Sequence, residues 1–171
     1  QTADGKIIYL YDYEDDSPVM HEIGRLRELT FRTVEEGTGT SLDLDKYDTY
    51  YRHLVLWDDE ALDIVGAYRI GECRTIIEKL GLEGLYTHTL FDLNNDIIPY
   101  LNQGIELGRS FVQPKYWGLR SLDYLWYGIG AYIASHPEIK YLFGPVSLSA
   151  AYPEEAQQKL VGFYQKQFGS W

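Results

Sequence analysis

The chain has a single cysteine, Cys73, in 171 residues, so it can form no internal disulfide. No Cys-x-x-Cys pair or Cys/His cluster offers the spacing of a zinc site, and no metal is expected. No apolar run approaches the roughly 18 residues needed to span a bilayer, and no secretory leader is visible. A lone thiol suits a reducing cytoplasm. Positive charge is also scarce: 15 Lys and Arg stand against 26 Asp and Glu, a formal charge of −11. Phosphate backbones require a basic face, which argues against nucleic acid as a partner. A Walker loop and a Gly-x-Ser-x-Gly elbow are both missing. The four histidines, at 21, 53, 88 and 136, are scattered, so no Ser/His nucleophile pair is apparent.

What is present is aromatic and unevenly charged. Sixteen Tyr and four Trp combine apolar rings with polar tips, which suits the walls of a cleft or interface. Residues 1–63 hold 16 acids and 6 bases, whereas residues 64–171 hold 10 and 9. The acidic half suits either a solvated face or the attraction of a cationic amine. With 45% apolar residues and no repeat, linker or composition break, residues 1–171 read as one domain. The start at Gln1 rather than Met leads us to expect a piece of a longer protein.

Hydrophobic period orders the elements. Residues 6–12 read as a strand. Ser17-Pro18 opens a helix predicted over 18–36 by Val19, Ile23, Leu26, Leu29 and Val34. Residues 53–57 and 61–70 form an antiparallel hairpin across Asp58-Asp59-Glu60. A short helix is predicted over 73–81, and residues 85–99 are irregular. A strand at 105–112, a helix at 119–135 and a buried strand at 141–147 follow. Pro153 opens a final amphipathic helix carrying Ala156, Leu160, Phe163 and Tyr164. This order implies an α/β fold with a central mixed sheet and helices on both faces.

Charges inside apolar strands are the candidate chemistry. Glu106 and Arg109 lie in Ile105-Glu106-Leu107-Gly108-Arg109-Ser110-Phe111-Val112, on opposite faces unless a bulge near Gly108 re-aims one. Glu106 fits equally a general base or an ion pair with Arg69. Arg69 is itself a lone cation that needs a partner, which Asp43, Asp45 or Asp48 could supply. After the strand, Gly118, Leu119, Arg120 and Ser121 run into a helix. Its free N–H groups suit a phosphate, with Lys115 and Arg120 nearby, although an ordinary β–α turn explains the pattern too.

The runs Glu22-Ile23-Gly24-Arg25-Leu26-Arg27-Glu28-Leu29-Thr30-Phe31-Arg32, Asp45-x-x-Asp48, His53-Leu54, Val65-Gly66-Ala67-Tyr68-Arg69, Glu106-Leu107-Gly108-Arg109-Ser110-Phe111-Val112 and Leu142-Phe143-Gly144-Pro145-Val146-Ser147 together resemble the hemolysin-like branch of the GNAT superfamily. That branch includes ornithine-lipid and glycine-lipid N-acyltransferases and is related to acyl-homoserine-lactone synthases. In some bacterial proteins such a domain accompanies a glycerolipid-type acyltransferase domain. The resemblance implies a GNAT-like fold and acyl transfer from an acyl-carrier-protein phosphopantetheine, or from acyl-CoA, to a small amine, with no permanently bound cofactor. It implies that Glu106 acts as base or amine-orienting group, with Arg69 and Arg109 as catalytic residues that organise the site. Asp45, Asp48 and Phe31 organise the substrate site, and Gly118, Leu119, Arg120 and Ser121 receive the donor phosphate. It places the protein in the cytoplasm or at the inner face of a bacterial membrane. Two alternatives accompany this reading: a homoserine-lactone-type synthase and a non-catalytic module beside another acyltransferase domain. The family's donor loop has two closely spaced small residues, whereas Gln113 here precedes Pro114-Lys115-Tyr116-Trp117 and one Gly118. That departure shifts the expected donor from coenzyme A toward the carrier protein. The family also adds a further strand pair beyond the point where this chain stops.

Overall fold

In a computed structural model describing residues 1–149 and 152–169, the first apolar run forms β1 (Ile7–Tyr11). The expected hairpin follows as β2 (Arg52–Asp58) and β3 (Asp63–Glu72). β4 (Gly104–Val112) and β5 (Tyr141–Phe143) complete one sheet in the order β1-β2-β3-β4-β5. The first three pairings are antiparallel and the last is parallel. The helices are α1 (Pro18–Arg32), α2 (Cys73–Leu80), α3 (Ile98–Leu101), α4 (Ser121–Ser135) and α5 (Glu154–Phe168). None of them is long and apolar enough to cross a membrane among the described residues.

Successive strand residues face opposite sides of the sheet, and each side recruits a helix. Val55, Ala67 and Phe111 pack with Met20, Ile23 and Leu26 of α1. Leu54, Leu56, Val65 and Leu107 pack with Leu125 and Ile129 of α4. A third apolar group, with Tyr47, Tyr51 and Leu85 at its centre, encloses Cys73. Burial pushes that thiol up to about 12, so it stays protonated and inert.

Several boundaries differ from the expectation. α1 stops at Arg32 rather than 36, because Glu36 N–H donates to the Phe31 carbonyl (2.9 Å) and Glu35 N–H to that of Arg32 (3.3 Å). This closing turn holds Glu35 at φ +64°, where glycine is usual. Ser17 sits before α1 as expected, yet its hydroxyl bonds the Tyr11 hydroxyl (2.5 Å) instead of capping the helix. Residues 82–97 contain three short 3-10 turns, and α4 begins at Ser121 rather than 119. β5 is three residues long and half exposed, not a buried strand over 141–147. Its ladder with β4 stops at Glu106↔Phe143 because the next residues are Gly144 and Pro145, and proline has no N–H to donate. A Cβ on Gly144 would lie 2.0 Å from the Leu107 carbonyl oxygen, so only glycine permits this approach. α5 has the amphipathic pattern expected of it, but none of its described residues is buried.

The β3–β4 contact makes a stability prediction. A Cβ on Gly66 would sit 2.4 Å from the Phe111 carbonyl oxygen, whereas one on Gly130 of α4 meets nothing within 4 Å. Gly66→Ala should therefore cost roughly 1–3 kcal/mol in urea denaturation by overpacking. Gly130→Ala should instead stabilise by about 0.5–1 kcal/mol through helix propensity. Equal stabilities for the two variants would refute the close strand approach.

Candidate active site

The site is built over a buried knot of ions between α1 and the sheet. Arg27 of α1 donates from Nε to Asp43 Oδ2 (3.1 Å), from two nitrogens to Asp48 (3.1 and 2.9 Å), and to the Asp43 carbonyl. Arg69 of β3 donates to Asp45 Oδ1 (2.6 Å) and Asp48 Oδ1 (3.2 Å). Its guanidinium lies over the rings of Tyr47, Tyr51 and Tyr86 at 5.2–5.6 Å. Arg27, Arg69 and Asp48 are each at most 2% exposed. Burial alone would push Asp48 up, but the Arg27 hydrogen bond and the two guanidinium charges hold it down to about 2. His53 lies 3.8 Å from the same carboxylate, and burial pushes it down to about 4, so it is neutral at pH 7. The expected grouping of Asp45, Asp48 and Arg69 is therefore present. Arg27 was overlooked, although the sequence carries a signal for it: a charge on the buried stripe of α1 beside Met20, Ile23 and Gly24.

Glu106 does not pair with Arg69. Its carboxylate accepts from the Tyr51 hydroxyl, from the N–H groups of Tyr86 (3.1 Å) and Thr87 (2.6 Å), and from the Thr87 hydroxyl. With four donors, both oxygens are engaged. Burial and the Glu106 charge push the Tyr51 phenol far up, which keeps it a donor. Glu106 thus ties the turn Tyr86–Thr89 to β4.

The expected bulge is real, but it falls one residue beyond Gly108. Arg69 pairs with Gly108 and Ala67 with Phe111, so β4 carries one extra residue. Arg109 takes up the irregularity at φ +47°. The bulge reverses the alternation, so Glu106, Arg109 and Phe111 all serve the α1 face. Beyond it, β4 and β5 diverge around a cleft of 990 Å³. Phe31, Glu35, Glu36, Tyr86 and Arg109 line it on the α1 side, and Tyr68, Leu107 and Trp126 on the α4 side. Arg109 lies 6.0 Å from the Phe31 ring centroid and 5.7 Å from that of Tyr86. Its nearest carboxylates are Asp43 (3.5 Å) and Asp45 (3.7 Å). Glu35 and Glu36 were not read as site residues, because the predicted helix ran through them.

Gly118, Leu119 and Ser121 line a second hollow of 380 Å³ at the start of α4, with Ser110, Trp117 and Leu122. Gly118 is left-handed at φ +75°, and no side chain caps the helix. The Ser121 hydroxyl is buried and has no hydrogen-bond partner among the described residues. Of the two expected cations, Lys115 is paired with Asp63, while Arg120 lies 3.6 Å from Asp123 and bonds the Tyr127 hydroxyl. Ser110 borders both hollows, so they meet on the α4 face.

Two measurements test this arrangement. His53 is depressed in the fold, so the unfolded chain protonates first as pH falls. Stability should drop between about pH 6.5 and 4 by roughly 2–4 kcal/mol, and again below about pH 4 as Asp48 is protonated. His53→Gln should remove the upper step and keep the lower one in urea titrations across pH. Glu106→Gln places an amide donor against donors, so Tyr86 and Thr87 amides should exchange with deuterium at least about tenfold faster. Unchanged protection there would show that Glu106 does not anchor the turn.

The chain is similar to several known proteins. Residues 26–127 match the family described as acetyltransferase (GNAT) domain. A glycine N(alpha)-acyltransferase of Phocaeicola vulgatus is 38% identical over 95% of this chain and 53% of its own length. That of Bacteroides thetaiotaomicron is 39% identical over 94% and 51%, and the L-ornithine N(alpha)-acyltransferase of Brucella abortus is 33% identical over 77% and 46%. The chain thus spans about half the length of these relatives. The crystal structure of the AHL synthase LasI superposes with a TM-score of 0.55 at 14% identity, over 92% of this chain and 77% of that one, which shows a shared fold. With a match over more than half its residues, the chain belongs to the acetyltransferase (GNAT) domain family.

Proposed function

We propose that this domain moves a long acyl chain from a phosphopantetheine thioester to the amino group of a small amino acid, glycine being the first candidate. The observation that carries the proposal is the cleft through the splayed sheet, polar on the α1 side and apolar on the α4 side. The names of the glycine and ornithine N(alpha)-acyltransferase relatives support an amino-acid acceptor. The donor enters from the α4 face, with its phosphodiester at Gly118, Leu119, Arg120 and Ser121, where free helix N–H groups and the unpartnered Ser121 hydroxyl lie. A carrier-protein arm, with its single phosphodiester, suits this site better than the pyrophosphate of coenzyme A, because Lys115 is already paired with Asp63.

The acceptor enters from the α1 face. Its nitrogen attacks the thioester carbonyl, the C–N bond forms, the C–S bond breaks, and the thiolate leaves to take up a proton. Beyond Glu106 the edge of β4 that faces β5 has no strand partner among the described residues, so the backbone N–H groups on that edge are available to stabilise the oxyanion. Glu106 acts in this reading by positioning, since its oxygens are occupied; Glu35 and Glu36 are the cleft carboxylates placed to receive the amine proton. Arg69, Asp45 and Asp48 hold the acceptor wall, and Phe31 and Arg109 face the acceptor. In the same proposal the amide is an aminolipid precursor. It is made at the inner face of a bacterial membrane, and a fused glycerolipid-type acyltransferase domain would act next.

The test supplies palmitoyl thioesters of acyl carrier protein and of coenzyme A, with glycine, ornithine or S-adenosylmethionine, and reads products by mass spectrometry. N-palmitoylglycine formed with the carrier protein is the expected result. A lactone product from S-adenosylmethionine would favour a homoserine-lactone-type synthase. Absence of any product would favour a non-catalytic module.

A further inference from the structure

Three arginines approach the acidic segment 43–48, and only two of them hydrogen-bond to it. Arg27 makes four hydrogen bonds; Arg69 makes two, with its Nε buried and unpartnered among the described residues. Arg109 makes no side-chain hydrogen bond to any described residue, and its buried Nε has no partner. A guanidinium offers five donors in a planar fork, and leaving them unused in a half-closed cleft is costly. Its carboxylate neighbours, at 3.5 and 3.7 Å, lie beyond hydrogen-bond reach. The backbone adds a second, independent sign. Of four described non-glycine residues with positive φ, two, Arg109 and Glu35, line this one cleft with opposite charges. Such outliers persist where the surrounding structure holds them, typically at ligand sites.

We infer that Arg109 is the receptor for the α-carboxylate of the acceptor amino acid, which it grips through its free fork. This deepens the acyltransfer reading and rests on it. The neighbouring charges define the ligand further. Asp43 and Asp45 lie beside the fork, and Glu35 and Glu36 line the same cleft, so a plain anion such as a released fatty acid is repelled. A zwitterion brings its own positive charge and meets both signs. Acceptors with a second carboxylate are disfavoured for the same reason. Bidentate geometry also separates Arg109 from a lysine, which would supply only a point charge.

The experiment compares glycine with glycinamide, which keeps the amine and loses the carboxylate, using palmitoyl-carrier protein as donor. Wild type should prefer glycine in kcat/KM by about 10- to 100-fold, the size of a hydrogen bond to a charged group. Arg109→Gln should bring the two acceptors within about threefold, chiefly by raising the KM of glycine, and Arg109→Lys should restore part of the preference. Arg109→Gly serves as the folding control, because glycine accepts φ +47° without strain, and it should behave like Arg109→Gln. Equal losses on both acceptors, or a preference that survives in Arg109→Gln, would overturn the inference while leaving acyl transfer in place. If wild type acylates no amine, the acyltransfer reading fails. Carbon-13-labelled glycine titrated with protein then decides the clamp alone: line broadening abolished in Arg109→Gln upholds it, and no broadening with wild type ends it.

Discussion

The buried carboxylate of Asp48, shared by Arg27 and Arg69, is the interaction on which the remaining architecture depends. It joins α1, the 43–51 segment and β3 at one point. Buried ion pairs add little net stability, because desolvation offsets attraction, but removing one partner costs about 3–5 kcal/mol. Their value here is registry. Asp48 also accepts from the Asp45 backbone N–H (2.7 Å), and Asp45 from that of Tyr47 (2.9 Å), so the turn is locked from within. That turn delivers Tyr51 to Glu106, and Glu106 delivers Tyr86 to the cleft wall. A chain of polar contacts therefore runs from the core of α1 to the reacting face.

The sheet itself divides the chemistry. Its α1 side is lined by paired ions and tyrosines, and its α4 side by leucines and a tryptophan. In the proposed reaction a polar amine and a greasy thioester need different solvents, which the two faces supply, and the reactants meet where β4 and β5 part. On that reading neither a serine nor a histidine nucleophile is needed, because proximity and oriented dipoles carry the transfer.

Much of this was legible in the sequence. Alternation in β2 and β3 and the apolar stripes of α1 and α4 carried the fold, since periodic burial is a local signal. The charged interruptions Arg69 and Glu106 marked the site because an ion in an apolar strand demands a partner. Which partner was not legible. Glu106 is met by the backbone of Tyr86 and Thr87, and backbone N–H groups have no letter in the sequence. Arg27 was hidden by an apparently ordinary helix, and Glu35 and Glu36 by a helix end that depends on a left-handed residue other than glycine. The short exposed β5 departs from the buried strand expected because its hydrophobic letters suggest burial that Pro145 and Gly144 prevent.

The place where β5 leaves β4 is set by two covalent facts, a missing Cβ at Gly144 that lets the chain pass close to Leu107 and a missing N–H at Pro145 that ends the ladder. Neither varies with salt, temperature or the presence of substrate. The point at which the strands part is thus written into the covalent chain. What the opening admits is left to the side chains that line it.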